Sequence, residues 1–364
     1  MAGLDRRNQL QQLRLLERGC DNALPSMSTS AQRLLKIIDG FSRVSVAVLG
    51  DLVADEFVFG EIARVSREAP VLILKFRERR VVPGGAANAV YNLAALGVDV
   101  LPVGIVGEDE PGRLLLKAFK EKRIPTSGIQ RVKGQATVTK TRILAGQSHS
   151  ARQQVVRLDR EPTSEPSAHT RRELLIAASQ YAHAADALLI SDYGYGAATP
   201  QIFEALRNRV RLDEVTVTLD SRYRMLDFSG ITAATPNEPE VEAALGVRIG
   251  DDRDKLFSAG KSLMQKMKLG SLLITRGRDG MVSFDKGKRP VEIPIHGGDQ
   301  VTDVTGAGDT VIAVFTAALA TGASTEDAAR LANFAGGVVV MKRGTATAST
   351  AELRQAVESG ARER

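Results

Sequence analysis

The sequence predicts an α/β fold in which helices cover both faces of a mostly parallel central sheet and a small second sheet projects from it. Three observations predict it. Short runs at 44–49 (VSVAVL), 101–106, 187–191, 215–219 and 271–275 are apolar or β-branched on both faces. Helical patterns separate them: Leu174, Leu175, Ala178, Tyr181 and Ala182 fall at i, i+1, i+4, i+7 and i+8. Alternation of this kind gives a parallel sheet with helices on either side. By contrast, 69–82 and 135–159 read as strands without intervening helices, which is the small sheet.

Taken in order, residues 1–42 form an N-terminal helical extension. Leu10, Leu13 and Leu16 have helical spacing, a polar stretch follows at 22–30, and a second short helix is expected at 31–39. This extension is expected to pack on the main domain or on a partner subunit. The main domain is expected over 43–355, with the strands of the projecting sheet within 56–82 and 135–159.

Bulk properties exclude several classes. The chain has 364 residues, 43% of them hydrophobic, enough for a substantial core. No apolar run reaches 18 residues, and the N-terminus lacks the apolar stretch of a secretory signal. Cys20 is the single cysteine, which fits a reducing compartment and a cytoplasmic location. The net charge of +6 alone would allow nucleic-acid binding, but the cations are scattered, Trp is absent and aromatics total 4%. A moderate basic excess equally suits an enzyme handling phosphorylated anions.

Ligands of open α/β sheets bind beyond the carboxyl ends of the strands. Asp51, Asp55, Asp192, Asp220 and Thr275 all fall at such ends. Together they suggest a polar, hydroxyl-rich ligand; singly, each could be a cap or turn residue.

The strongest local signal is 301–310 (VTDVTGAGDT), which feeds a buried helix over 311–320. Gly306 and Gly308 permit backbone geometries closed to other residues, and free amides at a helix N-terminus attract an anion. Asp309 beside such a site would repel a bound phosphate, yet it is useful as a base that takes the proton of an attacking hydroxyl. Alternatively Asp309 is simply the N-cap. GxxxxGK[ST] is absent, and no GxGxxG follows the first strand. A second glycine pair, Gly84-Gly85, precedes Asn88 and a helix over 89–96; it allows a hinge or close approach of a sugar, or is an ordinary loop. In the third element, Thr235-Pro236-Asn237-Glu238-Pro239-Glu240, Asn237 is a candidate N-cap and Pro239 falls in the first turn. Glu240 near that helix start can hold Mg²⁺ through water.

In this order and spacing, the three elements resemble the ribokinase-like (PfkB) family of carbohydrate kinases, from about Val44 to about Thr350. The resemblance implies ATP and Mg²⁺ as cofactors. It makes Asp309 the catalytic base and the amides of Gly306, Ala307 and Gly308 an anion hole. Asn237 and Glu240 would organise Mg²⁺ and phosphate, while Thr275, Gly277 and Asn333 would line the nucleotide pocket. Sugar hydroxyls would meet Asp55 beside Gly84, Gly85 and Asn88, with Asp51 and Asp192 as further substrate carboxylates. A monovalent cation, K⁺ by this resemblance, would sit at Asp303, the Thr305 carbonyl and Gly344. The projecting sheet becomes a lid, and its strand at 71–82 implies a homodimer.

Within the family the chain is most similar to the D-glycero-β-D-manno-heptose-7-phosphate kinases of lipopolysaccharide biosynthesis. The segments that carry this are 64–71 (RVSREAPV), 83–88, 139–142 (TKTR), 156–159 (VRLD), 189–193 (LISDY) and 301–312. The implied reaction is phosphorylation of the anomeric hydroxyl to the 1,7-bisphosphate, with Lys140, Arg142 and Arg157 gripping the phosphate already present. The chain departs from that pattern at 50–60 (GDLVADEFVFG), where Glu56 replaces an arginine and Val58 an aromatic residue. It also carries Asp220-Ser221-Arg222 in place of DPK, and differs at 145–152. These changes bear on the sugar, which leaves a kinase for another sugar or sugar phosphate as the alternative. A non-catalytic nucleotide- or sugar-binding regulator would be expected to lack Asp309. Because the chain stops at residue 364, only the kinase step is expected, without a fused nucleotidyltransferase.

Overall fold

The computed structural model describes residues 28–146, 153–297 and 302–362. Leu10, Leu13, Leu16, Cys20, residues 147–152 of the altered loop and Val301 lie outside them.

The central sheet has nine strands among the described residues: β1 (Ser45–Gly50), β4 (Asp99–Gly107), β5 (Ile129–Val132), β8 (Ala187–Asp192), β9 (Thr216–Ser221), β10 (Ala233–Ala234), β11 (Ser271–Thr275), β12 (Met281–Asp285) and β13 (Val291–Ile293). Their order is β13-β12-β11-β10-β9-β8-β1-β4-β5, parallel except where β12 meets β11 and β13. Alternation along β1 shows why its apolar run is continuous. Val46 and Val48 point into one hydrophobic cluster, Ala47 and Leu49 into the other. Helices α4 (Ala168–Ala184), α5 (Pro200–Arg207), α6 (Glu238–Leu245) and α7 (Arg253–Met267) cover the second face. On the first lie α2 (Ala86–Ala95), α3 (Glu110–Glu121), α8 (Ala307–Ala320), α9 (Thr325–Val340) and α10 (Thr350–Arg362).

One further helix, α1 (Thr29–Gly40), belongs to that first layer. Ser28 caps it through the Ala31 amide, and Ala31, Leu34 and Ile38 enter the same cluster as α8 and α9. Arg33 pairs with Asp327 at 2.7 Å. The described part of the N-terminal extension therefore packs on the main domain, and α10 continues to Arg362. Burying Leu34 and Ile38 stabilises by about 1.5–3 kcal/mol each.

The second sheet is separate, in the order β3-β2-β6-β7, from β2 (Leu52–Val65), β3 (Leu72–Gly85), β6 (Thr139–Gly146) and β7 (Gln153–Arg160). Its register opposes Asp55 to Lys140 and Phe57 to Arg142, then Lys140 to Asp159 and Arg142 to Arg157. With a side-chain period of two, these six share one face. That face looks at the carboxyl ends of the central strands. No helix among the described residues is long and apolar enough to cross a membrane.

Candidate active site

A cavity of about 540 Å³ lies between the two sheets, walled by Asp55, Gly85, Lys140, Arg142, Arg157, Asp192, Tyr193, Asp220, Arg222, Thr235, Asn237, Glu240, Thr275, Thr305, Gly306, Gly308 and Asp309, with Val53 and Val304. Most of the sequence-predicted residues meet there.

At its floor the chain turns into α8. Gly306 is the N-cap residue with φ 79° and ψ 7°, a left-handed conformation, and a Cβ there would lie 2.5 Å from Asn88 Nδ2. A Cβ on Gly308 would meet nothing within 4 Å, so this residue opens onto the cavity. The Ala307 amide donates to the Val304 carbonyl at 3.2 Å. Ala307 is thus tied into the turn, and Gly306 and Gly308 are the members of the expected anion hole that reach the cavity wall. Asp309 sits at the third position of the helix and is not its N-cap, which removes the capping alternative.

Both Asp309 oxygens are held. Asn88 Nδ2 donates to Oδ2 at 3.0 Å and the Tyr193 hydroxyl donates to Oδ1 at 2.7 Å. Burial pushes this carboxyl up to about 6 against the opposing effect of those two hydrogen bonds. A carboxylate offers about four acceptor positions, so two remain for an incoming hydroxyl. Asn88 also donates to the Gly306 carbonyl at 3.2 Å and does not line the cavity. Through these two hydrogen bonds it braces Asp309 and the turn at Gly306.

On the lid side, Gly85 adopts φ 54° and ψ −135°, a region essentially reserved for glycine. Gly84 has no room for a side chain, since a Cβ would lie 2.4 Å from Asp55 Oδ2. Asp55 accepts from Arg142 Nη1 at 2.6 Å and from Thr345 Oγ1 at 3.1 Å. Arg157 pairs with Asp159. Lys140 instead lies over the rings of Tyr193 and Tyr195, at 4.9 and 5.7 Å. Its buried position, with Arg157 and Arg222 nearby, lowers its affinity for a proton despite Asp55.

The strand-end carboxylates divide into two kinds. Asp51, expected to contact substrate, is buried off the cavity wall and accepts the amides of Tyr193, Tyr195 and Ala197 at 2.8, 3.0 and 2.9 Å. It fastens the loop after β8. Asp192 reaches the wall but is occupied by Arg224, Ser221 Oγ at 2.8 Å and the Gly194 amide at 3.0 Å. Asp220 and Glu240 are different. Burial raises both, and repulsion from Glu240, Asp309 and Asp192 adds to the effect at Asp220. Asn237 and Glu240 form a reciprocal capping box at α6, each amide bonded to the other side chain at 2.9 Å. Thr275 pairs with Asn237 across the strand ends.

Gly277, with φ 56°, and Asn333, whose amide donates to the Pro294 carbonyl at 2.8 Å, lie outside this cavity wall. Asp303 accepts the amides of Thr305 and Gly344, both at 2.9 Å; these hydrogen bonds hold its carboxyl low even though burial pulls it upward. Neither Tyr193 nor Arg222 is among the site residues that the sequence predicts. Tyr193 stands directly after the strand-end Asp192, the one local signal for it.

Glu56 and Val58 point away from the cavity, on the other face of β2, where Glu56 pairs with Arg79 and Thr141. Those two departures from the heptose-kinase pattern are therefore not on the cavity wall. Arg222 is.

Among the described residues no cluster of three or more His, Cys, Asp or Glu forms a metal cage. Asp220 and Glu240 suit a water-coordinated Mg²⁺, which uses one or two carboxylates together with substrate phosphates. Asp303 and the neighbouring carbonyls offer hard oxygen donors of the kind a monovalent cation takes.

Comparison with known proteins agrees with the geometry. The Bifunctional protein HldE of Geobacter sulfurreducens is 40% identical over 311 residues, 85% of this chain and 62% of that protein. Its counterpart in Trichlorobacter lovleyi is 38% identical over 322 residues, 87% of this chain and 63% of that protein. The chain thus spans less than two thirds of these relatives' length. The fold matches Arabidopsis thaliana ribokinase complexed with ribose and ATP, with TM-score 0.68, 20% identity, and 86% of this chain and 98% of that one covered. Phosphofructokinase-2 from Escherichia coli in complex with potassium matches with TM-score 0.70, 17% identity, and 88% and 99% covered. Residues 46–352 match the pfkB family carbohydrate kinase description, a span that includes both glycine pairs, the Asn237–Glu240 box and Asp309, and the chain belongs to that family.

Proposed function

We propose that the chain transfers the γ-phosphoryl group of ATP to the anomeric hydroxyl of D-glycero-β-D-manno-heptose 7-phosphate, giving the 1,7-bisphosphate and ADP. The observation that carries the kinase chemistry is Asp309, raised to about 6 at the floor of the cavity and one residue from Gly308. The acceptor hydroxyl gives its proton to Asp309 as its oxygen bonds to phosphorus and the bond to the ADP oxygen breaks. The N-terminus of α8 holds the transferring group through its partial positive charge. Asp55, fixed by Arg142 and Thr345, orients sugar hydroxyls. Asp220 and Glu240 would hold Mg²⁺, which would neutralise charge on the phosphates, and the donors at Asp303 would suit K⁺.

A substrate that already bears a phosphate needs a cation not otherwise engaged. Arg142 and Arg157 are paired with Asp55 and Asp159, which offsets their charge. Lys140 and Arg222 line the same cavity and lie over the rings of Tyr193 and Tyr223, with no ion-pair partner among the described residues. Kinship with proteins named HldE favours the heptose phosphate. Arg222 favours, as the second reading, a different sugar phosphate. A chain of this chemistry with one cysteine belongs in the cytoplasm, and the exposed Val65, Val71, Leu72 and Phe76 of the lid suit a homodimer.

The test is a panel of sugars and sugar phosphates incubated with ATP and Mg²⁺, with products read by ³¹P NMR. The expected product from heptose 7-phosphate carries a second, anomeric phosphate. No turnover of it, alongside turnover of another sugar, overturns the substrate assignment and leaves the kinase chemistry standing.

A further inference from the structure

Tyr193 is half-buried on the cavity wall, yet no step above uses it. It follows β8 on a loop whose amides at residues 193, 195 and 197 all converge on the Asp51 carboxylate. The loop backbone is thereby fixed to the end of β1. The ring is confined as well: a Cβ at Gly85 would lie 3.4 Å from Tyr193 Cε2, and Lys140 Nζ lies 4.9 Å from the ring centre. The hydroxyl then meets Asp309 Oδ1 at 2.7 Å.

We propose that Tyr193 is a positioning residue for the Asp309 base, fixing the direction of its carboxylate and lowering, through this one hydrogen bond, the pH at which it becomes able to accept a proton. The proposal rests on Asp309 being the base. Two donors on different elements, Asn88 on α2 and Tyr193 after β8, pin the two oxygens so that the carboxylate cannot rotate away from the acceptor hydroxyl. A neutral donor to a carboxylate favours its ionised form. Burial keeps Tyr193 itself protonated throughout the working range. The charged or titratable groups facing Asp309 are Asp55 on β2, Lys140 on β6, Asp220 on β9 and Tyr193; Asp55 and Asp220 oppose its ionisation and Lys140 favours it. Among these Tyr193 alone is a direct hydrogen-bond partner.

The experiment is a ¹³C NMR titration of protein labelled at Asp carboxyls, with the Asp309 resonance assigned by its loss in Asp309→Asn. In Tyr193→Phe the midpoint should rise by about one unit, the equivalent of one hydrogen bond to a charged group. Incorporating 3-fluorotyrosine at the five tyrosines makes the hydroxyl a stronger donor and should move the midpoint down without altering the fold. With the sugar phosphate that turns over best, the acid limb of kcat/KM in Tyr193→Phe should shift up by the same amount. That is about a tenfold loss below the limb and little loss at pH 9. An unmoved midpoint in both labelled proteins, or a loss of kcat/KM equal at every pH, overturns the proposal. Full activity of Asp309→Asn would instead defeat the base assignment, and the NMR midpoints would still report the hydrogen bond.

Discussion

At Asp309 the proposed function and stability pull in opposite directions. Its carboxyl is raised from 3.8 to about 6 because burial penalises the charge more than Asn88 and Tyr193 compensate it. The folded state therefore holds the proton more tightly than the unfolded chain does. The resulting stabilisation is complete below the unfolded value of 3.8 and is lost as pH rises through about 6. At pH 8 the ionised base costs on the order of 3 kcal/mol. Asp309→Asn should accordingly be the more stable protein at pH 8, by up to that amount in urea unfolding, and no more stable below pH 4. Its kcat should fall by about 10²–10⁴ while ATP still binds by calorimetry. Unchanged kcat would show that Asp309 is not the base. In the wild type, kcat/KM should fall about tenfold per unit below pH 6, where the base is protonated. Gly84 supports a third expectation. Its missing Cβ leaves the space that Asp55 Oδ2 occupies, 2.4 Å from where that atom would be. Gly84→Ala should displace Asp55 from Arg142 and raise the KM for sugar by about tenfold, in the range of a lost charge-assisted hydrogen bond, with the KM for ATP little changed.

Among the elements, the start of α6 has two separable roles. The Asn237–Glu240 box caps the helix, and the same Glu240 lines the cavity. Gln serves the capping box almost as well as Glu but offers no charge. Glu240→Gln should thus leave the melting temperature within about 2 °C, a change of under 0.5 kcal/mol, and raise the Mg²⁺ concentration needed for half-maximal velocity several-fold. Equal Mg²⁺ dependence in the two proteins would count against the metal role. The elements most legible in the sequence are those whose pattern is local. β1, β4, β8, β9 and β11 appear as continuous apolar runs because both of their faces are covered, and α8 appears because ten of its residues are buried. The antiparallel edge β12–β13 and the two-residue β10 leave no such trace. The partner of α1 was equally invisible. Spacing shows that Ala31, Leu34 and Ile38 share a face, but that the face closes the first hydrophobic layer depends on α9 and α10, some 300 residues away.

For the molecule as a whole, what the sequence could not reveal is which strand-end carboxylates touch ligand and which hold the scaffold. Asp51 and Asp192 read identically to Asp55 in a list of strand ends. Only the loop folding back over β1 shows that Asp51 is used up by three amides and Asp192 by Arg224. The lid poses the same question about its outward surface. It leaves the body where β1 passes into β2 and returns where β3 passes into α2, and it exposes Phe76 at 66% and Leu72 at 44% of their surface. These two lie four residues apart on β3, so they share a face, and β3 is an edge strand with unpaired backbone groups. A lone sheet edge with large apolar side chains is a pairing or aggregation hazard unless another surface covers it. A second copy of the chain is the simplest cover. Light scattering at micromolar concentration should therefore give the mass of two chains, and Phe76→Glu should shift it toward one, since burying a carboxylate without a partner costs several kcal/mol. Because Phe76 lies on β3 of the lid and Asp309 on α8 of the body, the monomeric variant should retain ATP binding even if sugar turnover falls with the loosened lid. A wild-type monomer under these conditions would leave the lid edge uncovered and refute the dimer.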